Sequence, residues 1–172
     1  MLAFIVSTVN LAMTLTRLSS LATPFLRVSP STVHGLGAFA TAVVPKGALL
    51  GLYEGKRYGA DVIKSKVWDD QLTYLFVLSD GTTIDAGRGG NATRHLNHSC
   101  APNCEASEAY DDTGRLVLEF RALRRLKADE ELFIDYRLQA DDTAVAADYL
   151  CTCGATICRG TMLDQDHPAV AG

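Results

Sequence analysis

The chain has 172 residues, which is enough for one domain with a modest appendage and for a sizeable hydrophobic core. Hydrophobic residues make up 48% of the chain and charged residues 21%, as in ordinary globular proteins. The net charge of −4 gives no sign of a protein held on nucleic acid by phosphate contacts, so we expect no direct nucleic-acid binding. The acidic balance suits a basic partner such as a lysine-rich peptide, although many enzymes without such a partner are equally acidic.

The first segment, residues 1–24, is largely apolar and carries no charge before Arg17. A secretory signal needs a positively charged start and a small-residue cleavage site, and a membrane-spanning helix needs about 20 apolar residues. Asn10 and several threonines interrupt the apolar run. We therefore expect a non-catalytic extension with Met13 as an alternative start and no firm membrane association, and a signal or anchor is the alternative.

From Phe25 onward, short apolar segments alternate with turn residues, which predicts a mostly-β domain. The predicted strands are 25–28, the segment that follows Gly37, 48–53, 73–78, 82–85, 115–121 and 132–134. The turn at 79–81 predicts a hairpin, the turn at 111–114 leads into an alternating strand, and the spacing over 60–68 predicts a short helix. The predicted main domain is 25–138, followed by a linker (139–147), an appendage (148–163) and a tail (164–172).

The stretch from Arg94 to Cys104 reads Arg-His-Leu-Asn-His-Ser-Cys-Ala-Pro-Asn-Cys. It places amide, imidazole, hydroxyl and thiol groups within a few residues, a density that a connecting loop does not need. Two hypotheses account for it. The stretch is either a cofactor-binding enzyme centre or a polar turn that only helps to hold a zinc site.

The five cysteines are odd in number and clustered in spacing, which is not typical of a disulfide framework. Four thiolates around a zinc ion, with one cysteine left free, fit better and imply a reducing compartment. The pattern Cys151-x-Cys153-x4-Cys158 supplies three ligands, and zinc needs a fourth. Cys104 is the nearest candidate upstream and Cys100 the next, while buried or disulfide-bonded cysteines are the alternative.

Two shorter motifs have both a functional and a structural interpretation. Gly35-x-Gly37 precedes a strand and lets the backbone approach a ligand closely, but a lone pair of this kind is usually a turn. The segment 130–136 ends a strand with Asp135 and Tyr136, and a tyrosine at a strand end often only covers the core with its ring.

In this order, the segments resemble the SET-domain family of protein lysine methyltransferases with its post-SET zinc module. The matching segments are 34–40, 53–55, 74–76, 84–86, 94–104, 130–136, 151–154 and 158–160. The resemblance covers about residues 25 to 163. Its most specific part is Asn-His-Ser-Cys-x-Pro-Asn-Cys followed by the Cys-x-Cys-Gly cluster.

The resemblance implies a fold of several small sheets whose C-terminal segment threads under a loop in a knot-like way, followed by a short zinc-binding appendage. It implies S-adenosyl-L-methionine as methyl donor and one structural zinc ion. The cofactor-binding residues that it implies are Gly35, Leu36, Gly37, Arg94, Asn97, His98 and Tyr136. The expected zinc ligands are Cys104, Cys151, Cys153 and Cys158, with Cys100 as a buried, free thiol.

The resemblance also implies that Tyr136 is the catalytic tyrosine and that Tyr53 and Tyr74 line a channel for the target lysine. A lysine ammonium with a pKa of roughly 10.4 cannot attack a methyl group, and an aromatic channel beside a sulfonium lowers that pKa. Tyr136 is expected to orient the amine, because a phenol with a pKa of about 10 is a poor base at neutral pH. The implied substrate is a basic, lysine-containing protein, histone-like or other, in the cytoplasm or, for a histone, the nucleus.

Ile134 stands where the family usually has phenylalanine or tyrosine, the choice that limits how many methyl groups are added. Isoleucine has no hydroxyl group to restrain the amine, so we predict that higher methylation states are possible. A SET fold that binds peptide or cofactor without turnover is one alternative, although Asn97, His98 and Tyr136 are all retained. A purely structural zinc protein is another, and it leaves the Gly-x-Gly and Asp-Tyr matches unexplained.

Overall fold

The computed structural model describes residues 4–6, 25–63, 74–140 and 145–164. Within these ranges strands dominate and helices are brief, so the predicted mostly-β class is confirmed. The strands are β1 (Phe4–Val6), β2 (Leu26–Pro30), β3 (Leu36–Ala40), β4 (Leu49–Leu52), β5 (Lys56–Tyr58), β6 (Leu75–Val77), β7 (Thr83–Asp85), β8 (Asn97–His98), β9 (Cys104–Tyr110), β10 (Leu116–Ala122), β11 (Phe133–Ile134) and β12 (Leu138–Gln139). The helix α1 spans Ala60–Ile63, and 3-10 helices span Ala92–His95 and Ala146–Tyr149.

Several small sheets carry the fold in place of one large sheet, as expected. One sheet has the strand order β12-β1-β6-β7-β5 and another the order β4-β10-β9. Two further sheets are pairs, one of β2 with β3 and one of β8 with β11. None of the helices in the described ranges is long and apolar enough to cross a membrane.

The sheet of β4, β10 and β9 is built on the turn that the sequence predicts at 111–114. Asp111 Oδ1 accepts N–H bonds from Thr113 and Arg115, each at 3.0 Å. The chain then continues as β10, the strand predicted at 115–121, but the sequence does not predict β9. The residues of β9, Cys-Glu-Ala-Ser-Glu-Ala-Tyr, lack the β-branched side chains typical of strands, and pairing along the whole of β10 overrides that preference.

The central strand β10 is paired along both edges, with β4 and β9, and its side chains are buried on both faces. Leu118 and Phe120, on the predicted apolar face, are fully buried. On the other face, Val117 is 4% and Glu119 7% exposed. The Glu119 carboxylate accepts a hydrogen bond from Arg121 Nη2 at 3.0 Å, so the buried charge is paired.

The five-stranded sheet contains the predicted hairpin of 73–78 and 82–85 as β6 and β7, with Thr73 outside the described residues. Its unexpected member is β1, which lies between β12 and β6. The expected non-catalytic extension therefore supplies a strand, while the rest of 1–24 lies outside the described residues. The predicted helix over 60–68 begins as α1, and residues 64–68 likewise lie outside them.

The strand β11 passes under the loop formed by residues 97–103. β8, at the start of that loop, pairs with β11 in parallel. Ser99 N–H donates to the Ile134 carbonyl at 3.0 Å, and Asn103 N–H donates to the Phe133 carbonyl at 3.3 Å. Asn103 Oδ1 also accepts the Phe133 N–H at 2.8 Å. The loop is thus tied to the strand at both ends, which is the threading that the resemblance implies.

Candidate active site and cysteine cluster

A cleft of about 450 Å³ lies where the turn before β3, β8, the residues after β11 and the appendage meet. The predicted site residues that line it are Gly35, Leu36, Tyr74, Arg94, Asn97, His98, Tyr136, Cys151 and Cys153. The appendage also contributes Leu150, Thr152 and Met162. The predicted site residues that are not part of the lining are Gly37, Tyr53, Cys104 and Cys158.

The turn before β3 is shaped by Ser31. Its Oγ accepts the N–H groups of Val33 and His34 at 2.9 and 3.3 Å, and its own N–H donates to the Gly35 carbonyl at 2.9 Å. Gly35 has a φ of 48°, which glycine adopts readily and other residues rarely do. The turn therefore requires glycine at this point, and it presents backbone groups to the cleft.

The buried Asn97 side chain holds that turn in place. Its Nδ2 lies 3.2 Å from the carbonyl oxygens of both His34 and Leu36, and 3.1 Å from Glu131 Oε1. A methyl group on Gly37 would lie only 2.2 Å from Glu131 Oε1. Gly37 therefore acts behind the cleft, because its missing side chain lets the Glu131 carboxylate reach Asn97.

His98 connects the cleft to the cysteines. Burial lowers the pKa of its imidazole and the nearby Arg159 adds to this, while Asp135 opposes it. His98 Nδ1 accepts the Tyr136 N–H at 3.1 Å, so the proton of the neutral ring lies on Nε2. Nε2 is 3.4 Å from Cys100 Sγ and donates to it.

Tyr136 points its hydroxyl group at the protein backbone. Its O–H donates to the Leu96 carbonyl at 2.9 Å. Burial, reinforced by the phenol of Tyr74, raises the pKa of Tyr136 well above its ordinary value. The phenol therefore stays protonated at neutral pH, which suits orientation and hydrogen bonding better than proton abstraction.

Of the other two predicted tyrosines, Tyr74 lines the cleft and Tyr53 lies in the core behind it. Tyr53 is 6% exposed and packs edge-on against Phe76, with 4.7 Å between ring centroids. Its O–H donates to the Tyr74 carbonyl at 2.9 Å, so Tyr53 supports the backbone of a residue that does line the cleft. The Tyr74 ring lies under the Arg94 guanidinium, whose carbon is 5.7 Å from the ring centroid.

His95 also lines the cleft, although the sequence reasoning did not single it out. Its Nε2 accepts a hydrogen bond from Arg94 Nε at 3.1 Å, and its ring stands edge-on to Tyr74 at 6.3 Å. Burial and the charge of Arg94 lower the pKa of His95. The only sequence signal was its position inside the motif stretch.

The structure corrects the predicted set of zinc ligands. The cysteines whose sulfurs lie within 4.8 Å of one another are Cys100, Cys151, Cys153 and Cys158. Cys104 is instead fully buried in the hydrophobic core, because β9 begins there and pairs with β10. Its thiol donates to Asn103 Oδ1 at 3.3 Å, and burial raises its pKa to about 12. Cys100, which was expected to be a free thiol, therefore lies in the cluster, and Cys104, which was expected to be a ligand, lies outside it.

Each sulfur of the four-cysteine cluster accepts at least one backbone N–H. The donors are Arg159 to Cys100 at 3.3 Å, Cys153 to Cys151 at 3.4 Å, Cys100 to Cys153 at 3.4 Å and Gly160 to Cys158 at 3.4 Å. Such bonds stabilise thiolates, the form in which cysteine binds metals. Four thiolates with this spacing fit a tetrahedral zinc ion, for which the Zn–S distance is about 2.3 Å.

The chain can be compared with known proteins through its sequence and its fold. A family model described as SET domain matches residues 35–137. The trithorax histone-lysine N-methyltransferase of Drosophila virilis is 32% identical over 144 residues, which are 78% of this chain and 4% of that protein. A histone-lysine N-methyltransferase of Schizosaccharomyces pombe, named H3 lysine-4 specific, is 32% identical over 145 residues, 78% of this chain and 15% of that protein.

A solved structure is also similar. A chain in the crystal structure of the Chaetomium thermophilum polycomb repressive complex 2 aligns with a TM-score of 0.58 and 28% identity, covering 64% of this chain and 15% of that one. The chain thus spans between 4% and 15% of the length of these relatives. The family match includes the Gly-x-Gly turn, the motif stretch 94–104 and Tyr136, so the chain belongs to the SET domain family.

Proposed function

We propose that this chain is a protein-lysine N-methyltransferase that transfers methyl groups from S-adenosyl-L-methionine to a lysine side chain. The observation that carries the proposal is the convergence, in one cleft, of the glycine turn, the Asn97-His98 pair and Tyr136. These groups come from three separate parts of the chain, and a structural zinc protein has no need to bring them together.

The cofactor would be held by backbone groups of Gly35 and Leu36 and by the Asn97-His98 pair. Arg94, which lines the same cleft, offers a guanidinium that suits the carboxylate of the amino-acid part of the cofactor. Gly37 does not line the cleft, and it contributes by leaving room for the Glu131 carboxylate to contact Asn97. When bound, the cofactor supplies an electrophilic methyl group on a sulfonium centre.

For catalysis, Tyr136 is proposed to orient the lysine amine with its protonated phenol. Tyr74 would form an aromatic wall of the lysine channel, and Tyr53 would hold that wall through its bond to the Tyr74 carbonyl. An apolar, aromatic enclosure disfavours the charged ammonium and so lowers the pKa of the lysine. Alignment of the amine with the methyl group supplies much of the rate acceleration for an in-line displacement.

The degree of methylation is proposed to depend on Ile134. This side chain is 2% exposed in β11, two residues before Tyr136. An aliphatic side chain offers no hydroxyl group to hold a water or to restrain a partly methylated amine. We therefore propose that the chain can add more than one methyl group.

The metal is proposed to be one structural zinc ion held by the four-cysteine cluster. Two of these cysteines, Cys151 and Cys153, also line the cleft, so the metal would fix one part of the cofactor site. Residues 148–163 then form a post-SET module, and residues 25–138 the SET domain, with a linker (139–147) between them and 164–172 as a tail.

The proposed substrate is a basic, lysine-containing protein, histone-like or of another kind. The names of the relatives favour histones, and the net charge of −4 is compatible with a basic partner. For a histone substrate we propose a nuclear location, and for other basic proteins the cytoplasm.

The experiment that tests the proposal incubates the chain with isotope-labelled cofactor and an array of basic proteins and peptides, followed by mass-spectrometric site mapping. We expect labelled methyl groups on lysine in at least one substrate. Cofactor binding without transfer to any basic protein would instead indicate a binding module, and absence of cofactor binding would overturn the proposal.

A further inference from the structure

Arg159, in the appendage, contacts both the four-cysteine cluster and the residue that precedes Tyr136. Its guanidinium donates two hydrogen bonds to Asp135, Nη1 to Oδ2 at 2.8 Å and Nη2 to Oδ1 at 2.6 Å. Its backbone N–H donates to Cys100 Sγ at 3.3 Å. The two side chains of the ion pair are only 28% and 21% exposed, so the pair is partly shielded from water.

Asp135 lies so close to the cleft that a small movement of its carboxylate would affect residues that line the cleft. Its Oδ1 is 3.5 Å from His98 Nδ1, the same atom that accepts the Tyr136 N–H. The carboxylate therefore borders both His98 and the backbone of Tyr136. Without its guanidinium partner, this carboxylate would be a partly buried, unpaired charge next to the cleft.

The backbone around Tyr136 needs support from outside its own segment. Tyr136 lies between the strands β11 and β12, and the next residue, Arg137, has a φ of 44°. A residue other than glycine in this region is strained and persists only where its surroundings hold it. Further along, Leu138 N–H donates to the Met162 carbonyl at 3.0 Å, so the appendage holds this segment after Tyr136 as well.

We propose that Arg159 is a positioning residue that holds Asp135 and Tyr136 in their working geometry and links that geometry to the cysteine cluster. The inference rests on the proposed function, because it assigns Tyr136 the catalytic role. When the cysteines are ordered, the hydrogen bond to Cys100 fixes the Arg159 backbone. The Arg159 guanidinium then fixes the position of the Asp135 carboxylate. A planar, two-pronged guanidinium fixes the carboxylate in both position and rotation, which a single ammonium cannot do.

The test compares three variants, each loaded with one zinc ion and checked for an unchanged unfolding temperature. Arg159→Gln removes the charge. Arg159→Lys keeps the charge but cannot donate the two parallel hydrogen bonds of a guanidinium, and Arg115→Gln is the control. Arg115 also pairs with an aspartate, Asp111, but its side chain is 59% exposed in the turn before β10.

Two measurements are made on each protein. The first is the ¹⁹F spectrum of chain carrying 3-fluorotyrosine, in which the Tyr136 signal is identified by its loss in Tyr136→Phe. The second is steady-state kinetics, with kcat and cofactor KM separated. Zinc content is measured alongside both.

For Arg159→Gln we expect a shifted or broadened Tyr136 signal, retained zinc, and a kcat about 10- to 100-fold lower with cofactor KM changed less than about threefold. Arg159→Lys should recover part of both effects, and Arg115→Gln should match the unchanged chain. An unaltered Tyr136 signal in zinc-loaded Arg159→Gln would overturn the inference. Loss of zinc from both Arg159 variants would also overturn it, since Arg159 would then serve the metal site alone.

The spectrum separates this inference from the proposed function. If the unchanged chain transfers no methyl group but the Tyr136 signal still responds to Arg159→Gln, the positioning contact stands and the proposed reaction fails. If transfer occurs in every variant at the same kcat with the same spectrum, the reaction stands and the positioning role fails.

Discussion

The cleft is bordered by two regions that are held together by different physical means. The main-domain region is fixed by strand pairing and buried hydrogen bonds, such as those from Asn97 to the turn before β3 and those between loop 97–103 and β11. In the appendage, the end of the 3-10 helix Ala146–Tyr149, isolated bridges and three cysteines that cluster with Cys100 of the main domain take their place within the described residues. The first region should therefore keep its shape without metal, while the second should depend on it.

The sharpest test of this comparison uses two cysteines four residues apart. Cys100→Ser removes a proposed zinc ligand, and we expect it to abolish stoichiometric zinc binding and weaken cofactor binding while the main domain stays folded. Cys104→Ser places a hydroxyl group in the core, and we expect it to keep the zinc ion but to destabilise the fold by about 1–3 kcal/mol. Metal analysis and thermal unfolding of both variants measure the difference.

If Cys104→Ser lost its zinc while Cys100→Ser kept it, the ligand set described above would be wrong. Treatment of the unchanged chain with a strong chelator provides the matching control. It should release one zinc ion and reproduce the cofactor-binding defect of Cys100→Ser.

Within the main-domain region, Tyr136→Phe should have the largest effect on chemistry. We expect kcat to fall by at least about 100-fold, because the hydroxyl group that orients the amine is gone. Cofactor affinity and zinc content should change little, since the ring remains in place. Turnover equal to that of the unchanged chain, measured with labelled cofactor, would remove Tyr136 from its proposed role.

A smaller effect on binding is expected from Asn97→Ala. Loss of the amide frees two carbonyl groups of the glycine turn, and we expect cofactor affinity to fall by about 1–3 kcal/mol. Gly37→Ala is the milder companion, because its methyl group displaces the Glu131 carboxylate and crowds the Ser31 side chain but leaves the Asn97 amide in place. Calorimetric titration of both variants should rank Asn97→Ala below Gly37→Ala in affinity, and the reverse order would contradict the account of this turn.

The smallest change in overall rate is expected from Ile134→Tyr. The new phenol would restrain the amine, so we expect the product distribution to shift toward monomethyl-lysine while the first transfer changes by only a few fold. Mass spectrometry of the product at increasing times measures this shift. Exclusively monomethyl product from the unchanged chain would contradict the prediction for Ile134.

Much of the site could be predicted because its motifs are local in sequence. The Gly-x-Gly turn needs glycine for its backbone angles, and the stretch 94–104 concentrates polar groups in a few positions. The hairpin of β6 and β7 also follows from local turn residues and apolar runs. These features depend on neighbours in the sequence, so a single sequence is enough to find them.

The remaining features depend on contacts between distant residues. Cys100 and Cys104 are chemically identical, and only the start of β9 decides that Cys104 enters the core. The pairing of Arg159 with Asp135 spans 24 residues, and no spacing rule predicts it. β9 itself has a composition unlike that of a strand and forms because β10 offers a complete pairing partner.

The passage of β11 under loop 97–103 has a consequence for how the chain is synthesised. On the ribosome, the loop leaves the exit tunnel before the strand that must lie beneath it, and the cysteines that border the cleft leave later still. Joining Cys100 to Cys151 also closes a long segment of chain, which slows assembly. The cleft is therefore among the last parts of the molecule to form, and a nascent chain that stops before the appendage carries an incomplete site.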